Sequence, residues 1–346
     1  MSGSPSGAKD RPSVRDDALG DCLRERYALG PSSIEFLPLG YDAGAWVYRV
    51  TANDGAVYFL KLKRQIERPE ILRVPYYLRD HGVPQVVAPL ATTSGELWAR
   101  VDDVALILYP FVAGMSGLDA GLMLAQWTEF GAILRSVHET ALPDEIARSL
   151  PREAFRPDQR YRGSAVAIAA GEDVTPSDAI SSELTAFLSD KRDVVGRVVQ
   201  RCDELGAVLC ARTWDLVLCH ADIHVANVMV GINGRVAIVD WDQPIFAPQE
   251  RDLMFVLGPA LSGFDPGSPQ EAAFFDGYGM VEIDPLALAY FRFAWAVQDI
   301  GSFAEEILHL VDLGDGSRRR ALTALRGIFG PRGIVAEALR SDRNIR

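Results

Sequence analysis

Several features are scarce in this sequence, and each scarcity closes a route. No apolar run reaches the ~18–20 residues that a membrane-spanning helix needs. The first ten residues are rich in Ser and Gly and have no apolar centre of the kind a secretory signal carries. A flexible tail over residues 1–15, a cytoplasmic location and no membrane partner are therefore expected. Positive charge is in deficit, with 35 Lys and Arg against 47 Asp and Glu and a net charge of -12. Nucleic acid and anionic lipid call for the opposite balance, so neither is an expected partner, whereas a cationic small molecule suits an acidic cleft. The four cysteines, Cys22, Cys202, Cys210 and Cys219, form no C-x-x-C pair and no zinc spacing, so reduced thiols are expected. Internal repeats are also absent.

What is present is a run of chemistry in the second half of the chain. His220-Ala221-Asp222-Ile223-His224-Val225-Ala226-Asn227 has the spacing H-x-D-x-x-x-x-N, and Asp240-Trp241-Asp242 begins thirteen residues after Asn227. Phosphoryl transfer from a nucleotide needs an aspartate to orient an acceptor hydroxyl and take its proton, and oxygen ligands for Mg2+. Asp222 fits the first need, and Asn227 with Asp240 the second. Apolar runs at Leu216–Cys219, Val228–Val230 and Val236–Val239 predict strands that hold the loops between them. A turn between buried strands accounts for any one of these residues, but not for His, Asp, Asn and the second Asp in register.

The first third reads as a small β-rich lobe. Asp16–Tyr27 predicts a leading helix, and Ser33–Leu39, Ala45–Thr51 and Val57–Leu62 predict strands, with Asn53-Asp54-Gly55 as a hairpin turn. The turn from Gly40 to Gly44 offers backbone N–H groups to phosphates, although two glycines in a hairpin are commonplace. In Tyr58-Phe59-Leu60-Lys61-Leu62-Lys63 the lysine between two leucines, Lys61, is the candidate phosphate anchor and Lys63 its competitor. A helix bearing a glutamate should hold that lysine. Between Glu67 and His81 the prolines Pro69 and Pro75 put its start near Val74, which leaves Glu70 as candidate partner. Trp98–Arg100 and Val104–Tyr109 read as a hairpin that runs into Pro110-Phe111-Val112-Ala113-Gly114, a hinge where Tyr109 and Phe111 would lie beside the nucleotide base.

The remainder reads as helical: Leu118–Thr140, Asp178–Ala211 as one helix or two, Phe274–Tyr278, Pro285–Leu313 and Arg318–Phe329, with Pro143–Pro157 irregular. Asp252 is placed to pin the catalytic loop through buried hydrogen bonds. Gln298, Asp299, Glu305 and Glu306 divide evenly between a pocket wall and a solvated face.

These residues resemble the aminoglycoside phosphotransferase family, within the wider group that includes choline kinases, from about Phe36 to about Leu310. The likeness is carried by Tyr58–Arg64, Ile107–Val112 and Leu218–His224. Ile238–Asp242, Pro244, Ala247-Pro248 and Glu250–Phe255 extend it and point to the branch acting on spectinomycin-like aminocyclitols. The resemblance implies an α+β, protein-kinase-like fold with a nucleotide-binding lobe over residues 16–110 and a helical catalytic and substrate lobe over residues 111–346. It also implies Asp222 as catalytic base, Asn227 and Asp240 as Mg2+ ligands, and Lys61 on the phosphates of ATP, with GTP as an alternative. The acceptor would be an aminocyclitol or aminoglycoside antibiotic, Asp242 and Asp299 pairing with its ammonium groups, and its phosphorylation would give resistance. Two departures stand out: the Gly40–Gly44 turn lacks the third glycine of G-x-G-x-x-G, and the pattern does not fix the helix glutamate. A protein substrate is disfavoured because no Ala-Pro-Glu follows Asp240, and an inert binding module because Lys61, Asp222, Asn227 and Asp240 are all kept. The serious rival is a metabolic kinase of choline, a sugar or an amino alcohol, or of another hydroxylated antibiotic.

Overall fold

The computed structural model describes residues 11–40, 44–172, 176–309 and 314–345. It is an α+β molecule with a small antiparallel sheet at one end and a larger helical region at the other. After helix α1 (Asp16–Tyr27), strands β1 (Pro31–Leu37), β2 (Ala45–Ala52), β3 (Val57–Lys63), β4 (Ala99–Val101) and β5 (Val104–Pro110) pair in the order β1-β2-β3-β5-β4. The β2–β3 turn has the predicted chemistry: Gly55 adopts a φ of 85°, and the Ala56 N–H donates to Asp54 Oδ1. Trp46, Tyr48, Val50, Leu60, Leu62, Leu106 and Leu108 fill the core of this sheet together with Leu19 and Leu23 of α1. Val14 is buried in the same core, so residues 11–15 are not the free tail that the sequence led us to expect.

Helix α2 (Arg73–Asp80) begins one residue before the predicted start and carries Pro75 in its first turn, where a missing N–H costs nothing. Its buried Val74 and Leu78, with Val83 and Val86 just after it, pack into the large hydrophobic core and not against the sheet. The Gln85–Val87 backbone also bonds to Ile238, between the two catalytic segments.

The larger region contains α3 (Leu124–His138), α4 (Gln159–Ala170), α5 (Ala179–Asp190), α6 (Arg192–Leu209), α7 (Pro269–Tyr278), α8 (Pro285–His309), α9 (Asp315–Ile328) and α10 (Ile334–Ile345). The region expected as one or two helices is two, and α4 and α10 were not anticipated. Helix α8, at 25 residues, packs against α4, α6, α9 and α10 and forms the spine of the core. Two small antiparallel sheets carry the catalytic segments: β6 (Gly114–Ser116) with β8 (Val228–Gly231) and β9 (Val236–Ile238), and β7 (Val217–Cys219) with β10 (Ile245–Ala247).

Helices α3 and α7 approach so closely that glycine is required. A Cβ at Gly277 would overlap the Thr128 carbonyl, and one at Gly131 the Phe274 carbonyl. Backbone cannot yield as the tip of a side chain can. Gly277→Ala should therefore lower stability by about 1–3 kcal/mol through overpacking, and thermal unfolding measures it. An unchanged melting temperature would mean that the two helices can separate without cost.

Candidate active site

The catalytic segment is held from below by one carboxylate. Asp252, on the short helix Glu250–Leu253 and wholly buried, accepts the His220 N–H at 2.8 Å and the Ala221 N–H at 2.7 Å. His138 of α3 approaches the same carboxylate at 3.1 Å through Nε2, while its Nδ1 lies 2.7 Å from the Tyr278 hydroxyl. Ala221 is held at a φ of 69°, a left-handed conformation that L-residues adopt only when their surroundings impose it. Burial opposes the charge on Asp252, but His138 and the loop N–H groups outweigh it and keep the carboxyl below its ordinary range.

His220 ties the two catalytic segments together. Its Nε2 lies 2.9 Å from the Val239 carbonyl and its ring packs 4.5 Å from that of Trp241, while the Val239 N–H donates to the Asn227 carbonyl. Asp222 and Asp240 are thereby fixed relative to one another, and Asp240 is itself left-handed at φ 65°.

Asp222 faces the cleft. Its Oδ1 is buried and lies 3.3 Å from His224 Nε2 without the alignment of a hydrogen bond, and its Oδ2 is 3.5 Å from Asn227 Nδ2. Burial, the largest influence, raises its pKa, and the charge of Asp240 adds to this against the opposing pull of His224 and His220. Asn227 ends a single 3-10 turn (Val225–Asn227), and its amide donates to the Asp222 carbonyl at 2.8 Å.

Lys61 reaches this cluster from β3. Its Nζ donates to Asp240 Oδ1 at 2.6 Å and to Asp242 Oδ2 at 2.7 Å, and Lys63 Nζ donates to the same Asp242 oxygen at 2.8 Å. Burial works against the charge of Lys61, yet Asp240 and Asp242 hold its pKa well above the ordinary value. Burial likewise opposes ionisation of Asp242, and the two lysines overcome it. These contacts differ from those expected of Asp242 and Glu70. Asp242, expected to meet substrate ammonium groups, has its charge matched by Lys61 and Lys63. Glu70, expected to hold Lys61, is exposed on the 3-10 turn Pro69–Leu72 and lines a surface hollow with Arg73, Tyr76, Tyr77 and Trp98. It makes no ion pair with Lys61 among the described residues, because α2 is anchored in the other core.

Tyr109, near the end of β5, pairs with Phe59 while Ile107 pairs with Lys61, so strand alternation puts Tyr109 on the same face of the sheet as Lys61. Phe111 follows it with the Arg49 guanidinium 5.2 Å from its ring. Gly40 (φ 83°) and Gly44 flank residues 41–43, which lie outside the described residues, as does the body of the expected glycine turn. Asp299, half-buried on α8, makes no ion pair or side-chain hydrogen bond among the described residues. Desolvation, then the charge of Asp222, pushes its carboxyl up to about 8. Glu305, weighed beside it, is instead taken by Arg160 at 2.6 Å and by the Ser164 hydroxyl.

The oxygen donors of Asp240 and Asn227 suit a hard dication such as Mg2+, and Asp240, 41% exposed, is open to the cleft. The trio His138, Cys219 and Asp252 also brings its ligand atoms within 4.8 Å of one another. Its members are committed elsewhere: Asp252 to the loop, His138 to Tyr278, and the Cys219 thiol, which burial pushes well above its ordinary value, to the Ala247 and Pro248 carbonyls.

A loop aspartate, a following asparagine, a second aspartate and a strand lysine converge on one cleft between a sheet lobe and a helical lobe. Residues 34–291 match the model of the phosphotransferase enzyme family. The chain belongs to that family. It is 26% identical over 318 residues to protein StrN of Streptomyces griseus, covering 87% of this chain and 88% of StrN. Spectinomycin phosphotransferase, APH(9)-Ia, solved with ADP and spectinomycin, superposes with a TM-score of 0.82 at 26% identity over 96% of this chain and 99% of its own. Its AMP-bound complex gives a TM-score of 0.78 at 27% identity, over 95% and 99% of the two chains. A microcompartment-associated aminopropanol kinase shares the fold, with a TM-score of 0.59 at 17% identity over 95% and 98% of the two chains. The protein is thus a protein-kinase-like phosphotransferase that moves phosphate to a hydroxyl group.

His138 is a functional residue that motif spacing does not reveal. Its signal is present in the sequence all the same, since it is a polar residue on the apolar face made by Phe130, Leu134 and Val137, and such a residue asks for a buried partner. Asp252→Asn should leave one loop N–H facing an amide donor. Turnover should fall about a hundredfold as Asp222 loses its aim, with a smaller change in nucleotide affinity. Because the folded pKa of Asp252 lies below its unfolded value of ~3.9, the stability it contributes is present above that pH and is lost as pH falls through the folded value. The variant should therefore lose less stability on acidification. Kinetics and pH-dependent unfolding together check this, and wild-type turnover in the variant would remove Asp252 from the design.

Proposed function

We propose that this phosphotransferase transfers the γ-phosphate of ATP to a hydroxyl of a spectinomycin-like aminocyclitol, and that its gene confers resistance in a sensitive host. The observation that carries the proposal is Asp299: an acid near enough to Asp222 to feel its charge, and without a cationic partner among the described residues, calls for a substrate bearing both a hydroxyl and an amine. Asp299 also lines a hollow of about 420 Å³ with Ala260, Leu261, Ile328 and Ile334. The full-length match to spectinomycin phosphotransferase, at 26% identity, supports the same choice.

In this reading Asp222 accepts the hydroxyl proton as the acceptor oxygen bonds to the γ-phosphorus and the bond to the ADP oxygen breaks. Lys61 lies against the nucleotide phosphates and offsets their charge, while Tyr109, Phe111 and the Gly40–Gly44 turn border the nucleotide. Asp240 and Asn227 would hold Mg2+, which supplies charge neutralisation of the phosphates when bound. Asp299 takes the substrate ammonium as a charge-assisted hydrogen bond, worth roughly 1.5–3 kcal/mol. The small lobe, residues 16–110, supplies the nucleotide side and residues 111–346 the acceptor side.

Purified protein should release ADP from ATP in the presence of spectinomycin. Asp222→Ala should lower that turnover by about two to four orders of magnitude while retaining nucleotide affinity. Release of ADP with choline, aminopropanol or a sugar but not with spectinomycin would leave the kinase chemistry standing and reject the acceptor.

Asp299 makes the acceptor side pH-dependent. Its carboxyl, pushed up to about 8, is largely neutral at lower pH, so ionisation as pH rises toward 8 should strengthen binding of an ammonium group. The acceptor KM should fall over that range. In Asp299→Asn the KM should be about tenfold higher or more, as loss of 1.4 kcal/mol implies, and without this dependence. A wild-type pH profile in the variant would take Asp299 out of the acceptor site.

A further inference from the structure

We infer that Asp242 is the positioning residue that holds Lys61 on the nucleotide phosphates, in the place that a helix glutamate was expected to fill. Four charged groups from two parts of the chain meet here. Lys61 and Lys63 come from one face of β3, and Asp240 and Asp242 from the segment after β9. Strand alternation puts both lysines on the same side of the sheet, and the single residue between Asp240 and Asp242 lets both carboxylates reach Lys61 Nζ, at 2.6 and 2.7 Å. The side chain of Lys61 is 10% exposed and that of Asp242 is 19% exposed, whereas Asp240 is 41% exposed. Asp242 is thus the shielded member and Asp240 the open one. That asymmetry separates their tasks: Asp240 turns its free oxygen to the cleft, while Asp242 anchors the lysine from behind.

Lys63 completes the arrangement. Its Nζ, 2.8 Å from the same oxygen of Asp242, also holds that oxygen, so Asp242 bridges two lysines. Among the described residues neither α2 nor the 3-10 turn before it contributes an acid to this cluster, since Glu70 on that turn is exposed and the buried face of α2 belongs to the large hydrophobic core. The lysine is therefore positioned by the segment that also carries Asp240, and its alignment is built into the cleft without any movement of α2.

The inference concerns nucleotide binding and does not depend on which acceptor is used. The test is the affinity of the full-length protein for Mg·ADP by titration calorimetry, alongside the acceptor KM. Asp242→Asn should weaken Mg·ADP about 10–100-fold, the usual loss when a group that orients a metal-site residue is removed, and should leave the acceptor KM unchanged. Glu70→Gln should bind Mg·ADP as the wild type does. Lys63→Met, which leaves the Lys61–Asp242 pair intact but frees one side of Asp242, should give a smaller loss of the same kind and serves if Asp242→Asn does not fold. Two results overturn the inference. In the first, Glu70→Gln weakens Mg·ADP while Asp242→Asn or Lys63→Met does not. In the second, Asp242→Asn raises only the acceptor KM, which would return Asp242 to the substrate side. Failure to phosphorylate spectinomycin would reject the acceptor and leave these nucleotide affinities as they are.

Discussion

Two backbone N–H groups, those of His220 and Ala221, end on the carboxylate of Asp252 at 2.8 and 2.7 Å, and the chemistry of the cleft depends on that contact. A loop between short strands has little packing of its own with which to fix a left-handed alanine. The buried carboxylate supplies what the loop lacks, and it is in turn braced by His138 and, through it, by Tyr278. The aim of Asp222 is thereby referred to helices α3 and α7, whose mutual distance is fixed by glycine at both faces. Packing in the helical region and proton acceptance at the cleft form one chain of contacts. Charged acceptors of backbone N–H groups are among the stronger hydrogen bonds available to a protein, which suits a contact on which catalytic geometry rests.

The cleft itself is organised by unequal charge compensation. Where β3 meets the segment after β9, Lys61 and Lys63 face Asp240 and Asp242 and the charges are matched. Asp222, with His224 at 3.3 Å, and Asp299 have no lysine or arginine partner among the described residues, and burial raises both carboxyls. In the proposed function a nucleotide brings its own negative charge and a counter-cation, and the matched cluster receives them together. In the proposed function these two acids favour an acceptor that brings a positive charge. The protein as a whole is acidic at -12, which adds long-range attraction for such a cation.

How much of this was legible in the sequence follows from how local each signal is. Asp222, Asn227 and Asp240 were readable because the spacing of one loop and the next strand places all three. The strands of the small lobe were readable because alternation and an Asn-Asp-Gly turn are local patterns. Asp252 was readable from its neighbourhood. That Lys61 contacts Asp242 and not Glu70 was not legible for one reason: which acid meets Lys61 depends on whether α2 packs on the sheet or on the other core. Nothing between Glu67 and His81 states that choice. His138 and Tyr278 lie 114 and 26 residues from Asp252 in the chain, and only the close approach of α3 and α7 brings them to it. Helix α10 was missed because it lies beyond the segment that carries motifs.

The claim that a buried carboxylate fixes the catalytic loop is tested most directly by amide hydrogen exchange at His220 and Ala221 in the wild-type protein. If Asp252 holds both N–H groups as described, they should exchange only as slowly as the core of α8, through global unfolding. Rapid exchange of these two amides while α8 stays protected would contradict the account, because the loop would then be opening without the core.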